Sequence, residues 1–324
     1  QDRSSAASDV YKRQVVISCL VTWMLLYFGS YKSLEKTLLV MVLFFSFMTM
    51  IIAIAMQSTD YQVSVAQVSS GLSFSFPSEY LPLALAVFGF TGISYGEIMA
   101  YTYWCLEKGY AENSGNNVEE TKHWIKTMQT DVWVTVFFIT LGTLPFFFLG
   151  AGVLYNIPEL QQALATSSFW DIDVISSLQN MFSLVLGGWA KWLFIVLAFF
   201  VLFSTLLSGT AAFTRTISDY LISMGLVKEQ ANTRKKLIKL IAFLIPFLSG
   251  LFYFVLPNPF TLLLIAGIWA AMGLPIVNIG ALYLVNKLEP ELQPKITTKF
   301  ILWASLVLQL SMAVLIIDDI LLAF

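Results

Sequence analysis

The sequence predicts an all-α, polytopic integral membrane protein, and three observations predict it. Of 324 residues, 58% are hydrophobic and only 12% are charged, with a mean hydropathy of +0.77. That composition belongs to chains that live in a bilayer. The charges are also clustered: residues 37–59, 132–158, 192–214, 240–286 and 300–317 carry no Asp, Glu, Lys or Arg. Finally, only helices and closed barrels satisfy their backbone polar groups in lipid, and apolar runs of this length exclude barrel strands.

A helix needs about 20 mostly apolar residues to cross the hydrocarbon. Eight spans satisfy this reading: 15–29, 34–56, 80–106, 130–155, 187–223, 236–256, 259–286 and 299–321. Pro257-Asn258-Pro259 separates the sixth from the seventh. The fifth is too long for one crossing, so Lys191 at one end and Arg215–Asp219 at the other are expected to project into the interfaces. Residues 168–186 read as an amphipathic helix lying on the outer face before that span.

The first residues read differently. "SSAASDVYKRQ", residues 4–14, resembles the translation of a sequencing-library adaptor. Residues 1–14 are therefore expected to be non-native, and residues 15–324 to be a single transmembrane domain that has lost its N-terminal helices.

Positive charge sets the expected orientation. Of the 18 Lys and Arg, three lie in the segment set aside (Arg3, Lys12, Arg13), which leaves 15. With the 30–33 turn inside, 14 of those 15 face inward and only Lys191 faces outward. The C-terminus is then outside, in a bacterial-type inner membrane. The near-neutral net charge gives no reason to expect a nucleic-acid partner. Cys19 and Cys105 read as buried helix cysteines, and His123 as a solvated side chain in an inner loop. No phosphate loop, zinc signature or nucleophile elbow is present, so no enzyme activity and no cofactor are expected.

The third span carries the chemistry. "VFGFTGISYGEIMAY", residues 87–101, places Gly89, Gly92 and Gly96 within eight residues of an apolar helix. Each glycine costs about 1 kcal/mol relative to alanine. They can serve close helix packing or mark a helix break. Glu97 adds a carboxylate at membrane depth, which costs several kcal/mol unless paired, protonated or hydrated. A break at Phe90–Gly96 with an acid just beyond it fits a cation site; a protonated Glu97 bonded to a neighbouring helix is the alternative. Asn278, three residues past Pro275, is expected either to line the cavity or to bond another helix. Arg215 and Asp219, spaced i, i+4, can pair; Asp131 is expected to cap the helix beginning near residue 130.

Several segments together resemble one family. "YKSLEKTLLVMV" (31–42), "FGFTGISYGEIMAY" (88–101), "FSTLLSGTAAFTRTISDYL" (203–221) and "AGIWAAMGLP" (266–275) resemble the fifth, sixth, eighth and tenth helices of the Nramp (natural resistance-associated macrophage protein) family. The resemblance covers most of residues 15–321. It implies a LeuT-type inverted-repeat fold, a broken sixth helix, and secondary active transport of divalent cations by alternating access with proton coupling. The cation would be substrate, and the bilayer and divalent metal ion the partners.

The resemblance also shows departures. The family's first-helix Asp and Asn ligands have no counterpart here. In the broken helix, Ile93 stands where the family has a methionine ligand, Phe90 would supply the backbone carbonyl, and Tyr95 and Ala100 replace histidines. Gly267 replaces a glutamine in the tenth helix. The expected substrates are divalent cations of the Mn/Fe type or Mg; with no thioether to favour softer transition metals, a hard oxygen ligand here suits Mn, Mg or another oxygen-preferring cation. Glu97, one turn beyond Ile93, is the expected metal ligand, with Thr91, Ser94 and Tyr101 around it. A LeuT-type carrier of another solute, such as an amino acid, and a non-transporting sensor or scaffold remain the competing readings. An acid near the site argues against an anionic solute.

Overall fold

In the computed structural model, residues 2–73, 84, 87–89, 94–113, 117–158, 160, 162, 174–228, 230, 232–255 and 259–322 are described. Helix is the only regular secondary structure among them. In chain order the elements are α1 (Asp2–Phe28), α2 (Tyr31–Met56), α3 (Val65–Gly71), α4 (Tyr95–Glu107), α5 (Tyr110–Asn113), α6 (Val118–Gly152), α7 (Val174–Leu186), α8 (Ala190–Ser223), α9 (Thr233–Val255), α10 (Pro259–Lys287) and α11 (Ile296–Leu322).

Six of the expected spans are helices long and apolar enough to cross a membrane, namely those at Tyr31–Met56, Val118–Asn156, Ala190–Ser223, Thr233–Val255, Leu262–Lys287 and Ile296–Leu315. The other two differ from expectation. The apolar part of α1, Arg13–Phe28, is shorter than a full crossing. The 80–106 span is described mainly through its second half, α4; Pro257 and Asn258 lie outside the described residues. Most of the exposed large side chains are Leu, Ile, Val, Phe and Trp, as lipid-facing helices require. Trp133, Trp189, Trp192 and Trp303 are all among them.

The chain divides into two compact units. One comprises Gln1–Val63 and Leu141–Pro259, the other Ser64–Thr140 and Phe260–Phe324. In the first unit, α8 packs on α1, α2, α7 and α9. Its core joins Ile52 and Met56 of α2, Leu149 of α6, Met181 and Phe182 of α7, and Phe194 and Leu197 of α8. The amphipathic helix expected over 168–186 is present as α7, but its apolar face is filled by protein. Met181 and Phe182 are fully buried, because the ends of α2, α6 and α8 offer a closer apolar surface than lipid. Gly187, with φ of +86°, ends α7 and delays α8 until Ala190, three residues later than expected.

In the second unit, α6 begins twelve residues before the expected start of its span. Hydropathy marks only the apolar part of a helix, and the polar run from Val118 is equally helical. Asn117 prepares its first turn, its side-chain oxygen accepting from the Glu119 N–H at 3.0 Å. Asp131 therefore lies inside α6, and the capping role expected for it is corrected.

Candidate functional site

α4 begins on a reciprocal pair of bonds. Ser94 is extended (φ −70°, ψ 161°), and its Oγ accepts from the Glu97 N–H at 3.3 Å. In return, Oε2 of Glu97 accepts from the Ser94 N–H at 2.7 Å. This capping box satisfies two donors that a helix start otherwise leaves open. It also fixes where the helix starts: an extended Ser94 cannot be the interior of a continuous helix, so the 80–106 segment is interrupted there. Gly96 already lies in the first turn of α4, downstream of the interruption. Gly89 is helical on the upstream side, while Phe90, Thr91, Gly92 and Ile93 lie outside the described residues. Glu97 is exposed at the mouth of the new helix. Neither sequence alternative included its bond to its own N-cap, although Ser-Tyr-Gly-Glu carries the capping-box spacing.

On either side of the interruption, the chain runs along a small-residue stretch of α10. Gly89 approaches so closely that an added Cβ would fall on the Gly267 carbonyl oxygen and 3.0 Å from the Ala271 nitrogen. Phe88 packs on the buried Ala271, with Ile268, Met272 and Met312. Tyr95 then covers Gly273, where a Cβ would meet its ring carbons. Gly267 and Ala271 are four residues apart, hence on one face of α10. The packing role of small residues applies at Gly89; the residue in the position of a glutamine, Gly267, is part of that contact.

The other expected pathway residues turn to neighbouring helices. Tyr101 donates its hydroxyl to the Met128 carbonyl of α6 at 3.2 Å. Asn278 is 8% exposed and donates to α11, reaching Gln309 Oε1 at 3.1 Å, Ser305 Oγ at 3.3 Å and the Leu302 carbonyl at 3.4 Å. Its Oδ1 is buried without a partner. Of the two expectations for Asn278, the interhelical bond is the one present. Among the described residues, no three His, Cys, Asp or Glu side chains come together to hold a metal ion.

The C-terminal end of α4 holds a cluster that sequence spacing does not reveal. Lys108 Nζ lies 3.3 Å from Asp131 Oδ2, and the Tyr110 hydroxyl donates to the same oxygen at 2.6 Å. The Tyr110 ring packs on Trp124 of α6 with centroids 5.0 Å apart. Partners 21 and 23 residues apart carry no helical periodicity to read. Asp219 similarly receives Arg234 of α9, Nε to Oδ1 at 2.7 Å, while Arg215 donates to the Ala211 carbonyl at 2.8 Å.

Comparison with known families decides the identity. The family model described as Natural resistance-associated macrophage protein-like, Nramp, matches residues 11–318. The chain belongs to the Nramp family. An Nramp protein is an integral membrane transporter rather than an enzyme, and membership implies divalent metal ion transport. The match begins inside the segment set aside at the N-terminus, and α1 runs unbroken across residue 15. No curated protein and no solved structure matches the chain. Of the two residues expected in place of histidines, Tyr95 lies over Gly273 and Ala100 is buried in α4.

Proposed function

We propose that this Nramp chain is a secondary active transporter of oxygen-preferring divalent cations, Mn or Mg, that works by alternating access about the interruption at Ser94, with Glu97 as a cation ligand. The observation that carries this reading is the carboxylate of Glu97 at the first turn of a helix that restarts within an apolar segment. Its bond to Ser94 uses Oε2, and a carboxylate accepts through both oxygens.

The physics of a helix start works against a cation, because the positive end of the dipole contributes about 0.3–1 kcal/mol of repulsion. A full carboxylate charge about 4 Å from a cation contributes on the order of 4 kcal/mol per unit charge at an effective dielectric of 20. The carboxylate wins. A cation on Glu97 also draws charge from Oε2 and weakens the bond to the Ser94 N–H, so occupancy would loosen the start of α4. That coupling between ion and helix start is what an alternating-access hinge requires. The distribution of Lys and Arg supports an inner-membrane orientation with the C-terminus outside.

The test is uptake of radiolabelled Mn by the full-length protein in proteoliposomes, with Mg and Fe as competitors. Glu97→Gln keeps an acceptor at the third helical position and so keeps the capping box, but it removes the charge. Uptake is expected to fall at least about ten-fold, with thermal stability changed little, as loss of about 1.4 kcal/mol of binding implies. Glu97→Ala is expected to lose both uptake and cap. Wild-type uptake by Glu97→Gln would refute the role of Glu97. Proton flux recorded beside Mn flux decides the coupling.

A further inference from the structure

We infer that one end of the first unit is a binding surface for anionic phospholipid headgroups. The surface gathers from elements distant in sequence. Lys239 of α9 lies 4.4 Å from the ring centroid of Tyr27, near the end of α1, so the α1–α2 turn and the first turns of α9 are neighbours. Arg234 holds Asp219 of α8, which brings the α8–α9 turn to the same end. Exposed lysines from three elements therefore meet there: Lys32 and Lys36 of α2, Lys228 of the α8–α9 turn, and Lys235, Lys236 and Lys239 of α9.

Three points favour a lipid headgroup as the occupant. First, α2, α8 and α9 are each long and apolar enough to cross the membrane, so their polar ends lie at headgroup depth. Second, the α8–α9 turn puts bare apolar side chains beside the cations: Met224 and Leu226 are 70% and 69% exposed. An apolar wedge flanked by lysines matches acyl chain below and phosphate above. Third, cations in the first turns of α9 sit at the positive end of the helix dipole, where the helix itself disfavours them. Asp219 offsets Arg234, whereas Lys235 and Lys236 are exposed on the next two positions. Each cation near an anionic surface strengthens association on the order of five-fold.

This inference stands apart from the transport reading, and its test needs no metal. The purified full chain is placed in nanodiscs of neutral phosphatidylcholine, with or without phosphatidylglycerol, and its thermal midpoint is read by tryptophan fluorescence. Phosphatidylglycerol is expected to raise the wild-type midpoint by about 3 °C or more. Lys235→Gln/Lys236→Gln should lose most of that rise while being at least as stable as wild type in neutral lipid, since two cations leave the positive end of the α9 dipole. Lys122→Gln/Lys126→Gln, on α6, should keep it. In wild type, 0.5 M salt should suppress the rise by screening. Equal wild-type midpoints in the two lipids overturn the proposal, as would an undiminished rise in the Lys235/Lys236 variant. An equal rise from soluble glycerol phosphate in neutral lipid overturns the assignment to lipid.

Discussion

Gly89 lies against Gly267 with no room for a side chain between the two backbones: a Cβ on Gly89 would overlap the Gly267 carbonyl oxygen. The obstacle is main chain, which cannot rotate away as a flexible side chain can. The helical residues before the interruption and the middle of α10 are therefore held at a distance that only glycine permits.

Gly89→Ala should accordingly destabilise the protein by at least about 1–3 kcal/mol, the usual cost of overpacking, because backbone must move. Gly209, in the interior of α8, supplies the contrast: nothing lies within 4 Å of a Cβ added there. Gly209→Ala should be neutral or stabilise by about 0.5–1 kcal/mol through helix propensity. Thermal unfolding of both variants in detergent checks the difference. Equal behaviour would mean that the close approach has no energetic consequence.

Tyr95 and Gly273 make a second close contact, this time with a side chain. Gly273→Ala forces the Tyr95 ring to shift at the first position of α4 and should cost about 1–3 kcal/mol. Removing the ring should relieve the clash, so Tyr95→Ala/Gly273→Ala should be more stable than the sum of the single changes by about 0.5–3 kcal/mol. The measurement is a double-mutant cycle in unfolding free energy. Strict additivity would show that the ring does not feel position 273.

The Asn278 bonds to α11 predict an asymmetry between partners. An interhelical bond in a membrane averages about 0.6 kcal/mol and reaches about 1.7. Asn278→Leu loses such bonds but also removes the buried, partnerless Oδ1, whose burial costs about 1–3 kcal/mol. Gln309→Leu keeps the orphan and removes an acceptor from Asn278. Asn278→Leu should therefore lie within about 1 kcal/mol of wild type, and Gln309→Leu should be the less stable of the two. Comparison of their thermal midpoints tests the order, and the reverse order contradicts it.

Much of the helix plan was legible in sequence. The charge-free tracts marked α2, α8, α9, α10 and α11 to within a few residues, since an apolar run must end where charge can reach water. Helix ends were less legible. α6 extends through Glu119, Lys122 and Lys126 because a helix needs no apolar residues once outside lipid. At the candidate site, the interruption near Glu97 could be anticipated from the glycines and the acid. The Ser94–Glu97 box was also present in the spacing, but a carboxylate in an apolar segment serves equally as a cap partner or a ligand, and spacing does not choose between them.

By itself, the sequence determined the class, the approximate spans and the family, because hydropathy and motif order are properties of the chain alone. Tertiary structure decided which partner each polar group takes. Asp131 meets Lys108 and Tyr110 across 23 and 21 residues, Asp219 meets Arg234 across 15, and Asn278 meets Gln309 across 31. Periodicity relates residues a turn apart on one helix. Contacts between helices depend on how whole helices pack, and nothing in local spacing encodes that.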